Sequence, residues 1–348
     1  MSNISINDAL IDQIVEDEIQ YKCNVPFLAK GLLGKCIFLF WYAKKRNNVR
    51  YKNIAYDYLD IISKSLNLQS DLGLYRGLLG IVCGYSYILQ EKEVDGDVNE
   101  ICREIDDKLF LYATMNLDEK YNSGKYNQFE EFYVNYMLYV LYRLSKSYTK
   151  KYEQQIYTRL LIKIFNHIYQ HHQADFCEEP FPCSVNYKLA KFFMVIAYMY
   201  KLGIEPLRLK SVLNELKIQV LYKLPVSGYN RVVLYGSLKM LVKNMPLDED
   251  WEKYIALLKI EIDLKAIVNQ DIVDTNLFAD SGMALLYLFL KYINREETMI
   301  EIPKDDFLHK IEYSSIWNQI QEISKSNDSW IEGLNGRLGL IMMYYDLK

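Results

Sequence analysis

The feature that most constrains the fold is a short glycine signature, Gly-x-x-Gly, that recurs along the chain and each time precedes a long apolar run. The three clearest copies are FLAKGLLGKCIFLFWYAKK (27–45), GLYRGLLGIVCGYSYIL (73–89) and SWIEGLNGRLGLIMMYYD (329–346). A glycine inside a helix costs about 1 kcal/mol relative to alanine. The repeated pairs therefore indicate positions where backbones approach closely or take turn conformations.

Weaker copies of the signature fill the intervals between these three. Two of them keep only the second glycine, namely 276–292 with Gly282 and 232–243 with Gly236. Two others, 185–200 and 129–144, keep neither glycine. Successive copies are separated by 41 to 60 residues, and each interval also contains a second, amphipathic helical pattern such as 54–66. The chain therefore consists of helix pairs in which one member is almost wholly apolar.

This pairing predicts an all-α fold. A helix that is apolar on every side must be buried, and seven of them are buried together only if their amphipathic partners form an outer layer. We therefore expect a single-domain α/α toroid of about seven inner and seven outer helices over 1–348, with 1–26 as a helical lead-in. An open solenoid is less favoured because it needs polar end repeats, whereas the first and last copies are strongly apolar.

Charge and hydropathy limit the partners of the chain. The 41 basic and 45 acidic residues give a net charge of −4, which provides no basic footprint for nucleic acid. The longest apolar stretches, such as 192–200, are shorter than the roughly 18 residues of a membrane span, and the acidic N-terminus lacks a signal-peptide core. Cys36 and Cys83 lie inside apolar runs, as is typical of a reducing compartment. We therefore expect a cytoplasmic protein without nucleic-acid partners or a membrane span.

The glycine-headed helices carry a resemblance to a known family. GLLGKCIFLFWYA, GLYRGLLGIV and WIEGLNGRLGL resemble the repeats of the lanthionine synthetase C-like family, the cyclases of lantibiotic biosynthesis. The resemblance implies a double ring of helices with an active site at its centre, beside the loops that precede the inner helices. It also implies a role in ribosomal peptide modification. The expected partners are a precursor peptide and a dehydratase or other peptide-modifying enzyme.

Family members use a zinc ion to bind the substrate cysteine. The resemblance implies that its ligands are a cysteine from the fifth repeat in chain order, which contains Gly236, and a Cys-His pair from the sixth, which contains Gly282. Zinc lowers the thiol pKa, so that a thiolate is available at neutral pH. The thiolate then adds to a dehydrated serine or threonine. A histidine of the fourth repeat and an aspartate of the third assist proton transfer.

None of these residues is found at the matching positions of this chain. The fifth-repeat cysteine position is Arg231, and the Cys-His positions are Leu277 and Phe278. The histidine position is Lys191 and the aspartate position is Gln128. Arginine and apolar side chains do not bind zinc. We therefore expect a divergent member that is zinc-free and acts as a precursor-binding or partner protein, and whether any catalysis remains is open.

The predicted central pocket combines these positions with two acids near the starts of inner helices. The candidate residues are Gln128, Lys191, Arg231, Asp280 and Glu332. A small slip in the third-repeat register replaces Gln128 by Glu130 or Glu131. The two basic residues would complement an acidic peptide.

One alternative is a relocated metal site in the segment HIYQHHQADFCEEPFPC (167–183), where His171, Cys177 and Cys183 supply ligand types that zinc accepts. The spacing is not that of a standard zinc motif, and the segment also has the composition of a plain connector.

A second alternative is an α/α-toroid glycoside hydrolase that uses two carboxylates. Glu178 and Glu179 are adjacent, and paired catalytic carboxylates need a set separation. Asp280 and Glu332 are therefore the better pair, although both residues also suit a plain role as charges near helix N-termini.

Overall fold

The structure is a computed structural model. It describes residues 8–21, 25–68, 71–118, 126–172, 178–180, 187–273, 276–278, 282–295, 300–315, 317 and 333–348, without the side chains of residues 116, 118, 126–130 and 172.

All regular elements among these residues are helical, and no strand occurs in the described ranges. The elements in chain order are α1 Asp8–Gln20, α2 Leu32–Arg46, α3 Val49–Ser65, α4 Leu78–Gln90, α5 Val98–Ile101, α6 Arg103–Asp118, α7 Tyr126–Lys146, α8 Lys151–His172, α9 Lys188–Lys201, α10 Pro206–Val220, α11 Gly228–Asn244, α12 Glu249–Ile260, α13 Leu264–Ala266, a π-helical segment Ile267–Asp271, α14 Gly282–Arg295, α15 Lys304–Glu312 and α16 Arg337–Leu347. The all-α prediction is confirmed. The apolar runs form α2, α4, α7, α9, α11, α14 and α16.

Burial distinguishes the two members of a helix pair. Along α2 every residue from 32 to 40 is buried, whereas its partner α3 buries only Tyr51, Ala55 and Ile62. The two helices pack against each other and are joined by a sharp turn at Asn47, whose backbone is left-handed with φ of 48°. This contrast follows from hydropathy, because α3 carries charged residues on its outer face.

The helices group into two compact units. The first unit comprises Met1–Ile105, Lys265–Leu288 and Ile302–Lys348, and the second comprises Asp106–Leu264 and Phe289–Glu301. In the first unit α2 packs against both α4 and α16. In the second unit α9 lies between α7 and α11, and the amphipathic helices α8, α10 and α12 cover α7, α9 and α11 in turn. Each unit thus repeats the same plan.

The first and last repeats are in contact within the first unit. Besides the α2–α16 packing, the backbone N–H of Asn335 donates to Ala29 O over 3.0 Å. Helix α1 joins both repeats, because Asp8 accepts from Arg46 on α2 and from Tyr345 on α16, over 2.9 and 2.7 Å. This contact is required by a closed arrangement of repeats and is absent from an open solenoid.

Close backbone approach explains the paired glycines. A Cβ atom at Gly34 would lie 2.2 Å from the carbonyl oxygen of Leu28, and one at Gly80 would lie 1.9 Å from that of Leu74. Both oxygens belong to the loop that precedes the helix. Only glycine allows the loop to fold back onto the first turn of the helix.

In the described ranges, none of the helices combines the length and the apolar character needed to cross a bilayer.

Candidate functional site

In the second unit the candidate residues lie near the starts of neighbouring apolar helices. Lys191 is in the first turn of α9 and Arg231 is in the first turn of α11. Gln128 belongs to the first turn of α7, but its side chain lies outside the described atoms. Asp280 and Glu332 lie outside the described residues.

Lys191 connects two apolar helices. Its half-buried side chain donates a hydrogen bond from Nζ to Oδ1 of Asn135 on α7 over 2.9 Å. Burial lowers the pKa of the Lys191 ammonium to about 8, and the negative charge of Glu131 opposes this shift. The amine therefore changes its protonation state close to neutral pH, because an ion that leaves water is costly.

The side chain of Arg231 binds backbone carbonyl oxygens. Its guanidinium donates to Pro225 O over 2.7 Å, to Val226 O over 2.9 Å and to Glu261 O over 3.0 Å. Nη1 also lies 3.8 Å from the Glu261 carboxylate. Arg231 thus fastens the loop before α11 to the C-terminal end of α12. Its predicted contact with an acidic peptide remains a prediction.

Glu179 performs a structural task that the sequence did not reveal. Its carboxylate accepts hydrogen bonds from the backbone N–H groups of Val226 and Ser227, over 2.7 and 2.8 Å, and from Nδ2 of Asn230 over 2.9 Å. An acid at this place satisfies N–H groups that a helix start leaves without partners. No local signal identifies such a cap, because Glu179 is 47 residues away from Val226.

A second structural acid lies in the first unit. Glu18 on α1 is buried and accepts from the backbone N–H of Gly333 over 2.8 Å, and it pairs with Arg337 on α16. Lys35 Nζ lies 3.5 Å from the same carboxylate. The start of the last repeat is therefore held by an ionic cluster that includes the N-terminal helix.

The residues that the sequence resemblance assigns to the zinc-ligand positions do not fit a zinc ion. Arg231 uses its guanidinium on three carbonyl oxygens, Leu277 is fully buried and Phe278 is half-buried. None of these side chains has a donor atom that zinc accepts. In the part of the chain that the structure describes, no group of three His, Cys, Asp or Glu residues is arranged to hold a metal.

The relocated metal site is described only in part. His167 and His171 lie on one face of α8 with ring centroids 5.0 Å apart, as their spacing predicts. His171 is exposed. Cys177 and Cys183 lie outside the described residues, so this site remains a prediction.

Comparisons with known proteins identify the fold. No family model matches the sequence, and no curated protein sequence matches it. Over 97% of its length, the chain shares its fold with nisin cyclase. The match has a TM-score of 0.61, covers 92% of the nisin cyclase chain and has 14% sequence identity. The prediction of an α/α-toroid fold is confirmed, and the family resemblance is supported at the level of the fold.

Proposed function

We propose that the protein is a zinc-free, lanthionine synthetase C-like protein of ribosomal peptide modification, which binds a precursor peptide and does not close thioether rings by itself. The observation that carries this proposal is the fold that the chain shares with nisin cyclase over 97% of its length. By the sequence resemblance, Arg231, Leu277 and Phe278 fall at the positions of the family's zinc ligands. We place it in the cytoplasm, together with a dehydratase or another peptide-modifying enzyme.

The chemistry of the ring-closing step supports a role without catalysis. A free cysteine thiol has a pKa near 8.5, so only a few per cent is thiolate at neutral pH. Zinc removes this limit when it binds the sulfur. Arg231 does not replace the metal, because the carbonyl oxygens of Pro225, Val226 and Glu261 occupy its guanidinium.

A binding and ring-closure assay tests the proposal. The ligand is a dehydrated Cys/Ser/Thr-rich precursor peptide, which the proposal expects to be encoded beside the gene, and binding is followed by fluorescence anisotropy. Addition of a thiol across the dehydrated residue leaves the mass unchanged but removes a free thiol, which alkylation and mass spectrometry count. We expect saturable binding with an unchanged number of free thiols.

Three outcomes would overturn this assignment. The first is ring closure by the isolated protein. The second is stoichiometric zinc in the purified protein that is lost in a Cys177→Ser/Cys183→Ser variant, which would favour the relocated metal site. Activity on glycans that disappears in Asp280→Asn, without a neighbouring dehydratase gene, would favour the hydrolase.

A further inference from the structure

The two basic residues of the candidate site differ in what remains available to a ligand. Arg231 donates to the carbonyl oxygens of Pro225, Val226 and Glu261. Lys191 has Asn135 as its one hydrogen-bond partner among the described residues. An ammonium group carries three N–H donors, so Lys191 retains donors after this bond is made.

Asn135 contributes a second donor group at the same place. Its Oδ1 accepts from Lys191, and its Nδ2 carries two N–H groups on the same planar amide. The described part of the chain provides no acceptor for Nδ2. Asn135 as a whole is only 8% exposed. The ammonium and the NH₂ of the amide that it contacts offer a donor to each oxygen of a carboxylate.

Among the described residues, no salt bridge neutralises the charge of Lys191. Glu131, one helical turn before Asn135 on α7, is the charged group whose field acts on Lys191. These two described residues do not form a salt bridge. On α11, the guanidinium of Arg231 is directed to loop carbonyls. The half-buried ammonium therefore has no ion-pair partner in the described residues, and an incoming carboxylate would supply one.

We propose that Lys191 and Asn135 form a binding site for a carboxylate of the peptide ligand. The identity of the ligand as a peptide rests on the proposed function, whereas the site itself is defined by α7 and α9 alone. The carboxylate comes either from an Asp or Glu side chain or from the C-terminus of the peptide.

Binding at this site is coupled to protonation. Because burial lowers the pKa of free Lys191 to about 8, the charged fraction falls from about 0.9 at pH 7 to about 0.1 at pH 9. The carboxylate binds the charged form, and apparent affinity scales with the competent fraction. We expect binding about tenfold weaker at pH 9 than at pH 7.

The experiment uses the full chain and three small probes. N-acetylglutamate α-amide carries a side-chain carboxylate, N-acetylglutamine carries a C-terminal carboxylate, and N-acetylglutamine α-amide is neutral. Fragments of this size bind weakly, so titrations extend to tens of millimolar at constant ionic strength. Protein labelled with ¹³C at lysine Cε reports Lys191, whose signal is assigned by its loss in Lys191→Arg.

We expect at least one carboxylate probe, but not the neutral one, to shift the Lys191 signal saturably and to raise its pKa. The responding probe identifies the source of the carboxylate. Absence of a response to both carboxylates, or an equal response to the neutral probe, would overturn the proposal.

Ligand-observed NMR on variants distinguishes loss of the Lys191 charge from loss of folding. Lys191→Met should abolish binding and Asn135→Leu should weaken it several-fold, whereas Lys201→Met, at the exposed other end of α9, should leave it unchanged. Lys191→Arg should retain binding and remove its pH dependence, because arginine stays charged. Binding that survives in a folded Lys191→Met variant contradicts the site.

The outcomes also separate this site from the proposed function. Carboxylate binding at Lys191 without capture of the dehydrated precursor retains the site and rejects the precursor-binding role. Precursor capture that is unchanged in Lys191→Met retains that role and rejects the site.

Discussion

Residues with the same charge differ in their hydrogen-bond partners in this protein, and therefore in their roles. Glu178 and Glu179 are neighbours in sequence and both are exposed. Glu179 accepts three hydrogen bonds at the start of α11. Likewise Arg231 is occupied by backbone carbonyls, whereas Lys191 retains donors. Charge in the sequence identifies candidates, and the partners decide which of them are available to a ligand.

Glu179→Ala tests the cap of α11. The substitution removes the acceptor for Val226 N and Ser227 N, so we expect a loss of about 1 kcal/mol in the free energy of unfolding. Urea denaturation measures it. The matched control is Glu178→Ala, which should change stability by less than about 0.5 kcal/mol. Equal effects of the two variants would contradict the capping role.

The pH dependence of stability tests the environment of Lys191. The folded pKa of about 8 lies below the unfolded value near 10.4. The cost of the buried charge is therefore fully present below pH 8 and is lost as pH rises through the window between these values. Relative to Lys191→Met, the wild type should gain about 2 kcal/mol between pH 7 and pH 9.5. Parallel profiles in urea denaturation would show an unshifted lysine.

At the scale of elements, the start of each apolar helix is the critical point. The loop before α2 folds back so closely that Leu28 O occupies the space of a side chain at Gly34. Helix α1 belongs to the same unit and forms ion pairs with α2 and α16. The amphipathic N-terminal segment is therefore part of the packing of the first unit.

Gly34→Ala should destabilise the protein by several kcal/mol, because the new Cβ would meet a backbone oxygen at 2.2 Å and the loop would have to move. The gain in helix propensity of about 1 kcal/mol does not offset this. Gly73→Ala is the matched control. Its Cβ would lie 3.7 Å from Asp71, and we expect it to be near neutral. Thermal unfolding compares the two variants.

Glu18→Gln tests the attachment of α1. Removal of the carboxylate charge leaves Lys35 and Arg337 buried without their anion, which should cost about 3–5 kcal/mol. Glu16→Gln on the same helix disrupts an exposed pair with Arg50 and should cost no more than about 1 kcal/mol. Hydrogen exchange should locate the loss of protection at residues 333–337. A uniform change throughout the chain would argue against local attachment.

At the scale of the whole molecule, the glycine-headed apolar runs predicted most of the fold. The runs beginning near Gly31 and Gly77 became α2 and α4 with ends close to those expected. The copies without glycine, at 129–144 and 185–200, also became helices α7 and α9. Helical periodicity is a local property of the sequence, so it predicts a helix even when the helices that pack against it are unknown.

The candidate site was less predictable. The alignment of the repeats with those of the family placed Lys191 and Arg231 near helix starts, but it gave no information on their hydrogen bonds. Glu131, reached only by a slip in register, acts on Lys191 from α7. Asn135 was not identified at all, because an asparagine in an apolar run carries no signal of its own. Each of these relations depends on which repeats become neighbours.

The sequence alone determined that the chain is helical and that its glycine-headed helices are buried, since apolar residues on all faces of a helix leave no other arrangement. Only the tertiary structure decided the pairing of polar groups. Glu18 and Arg337 are separated by 319 positions, and Lys191 and Asn135 by 56. Hydrophobic burial is non-directional and is encoded in local composition. Hydrogen bonds and ion pairs require specific atoms within about 3 Å, which folding alone brings together.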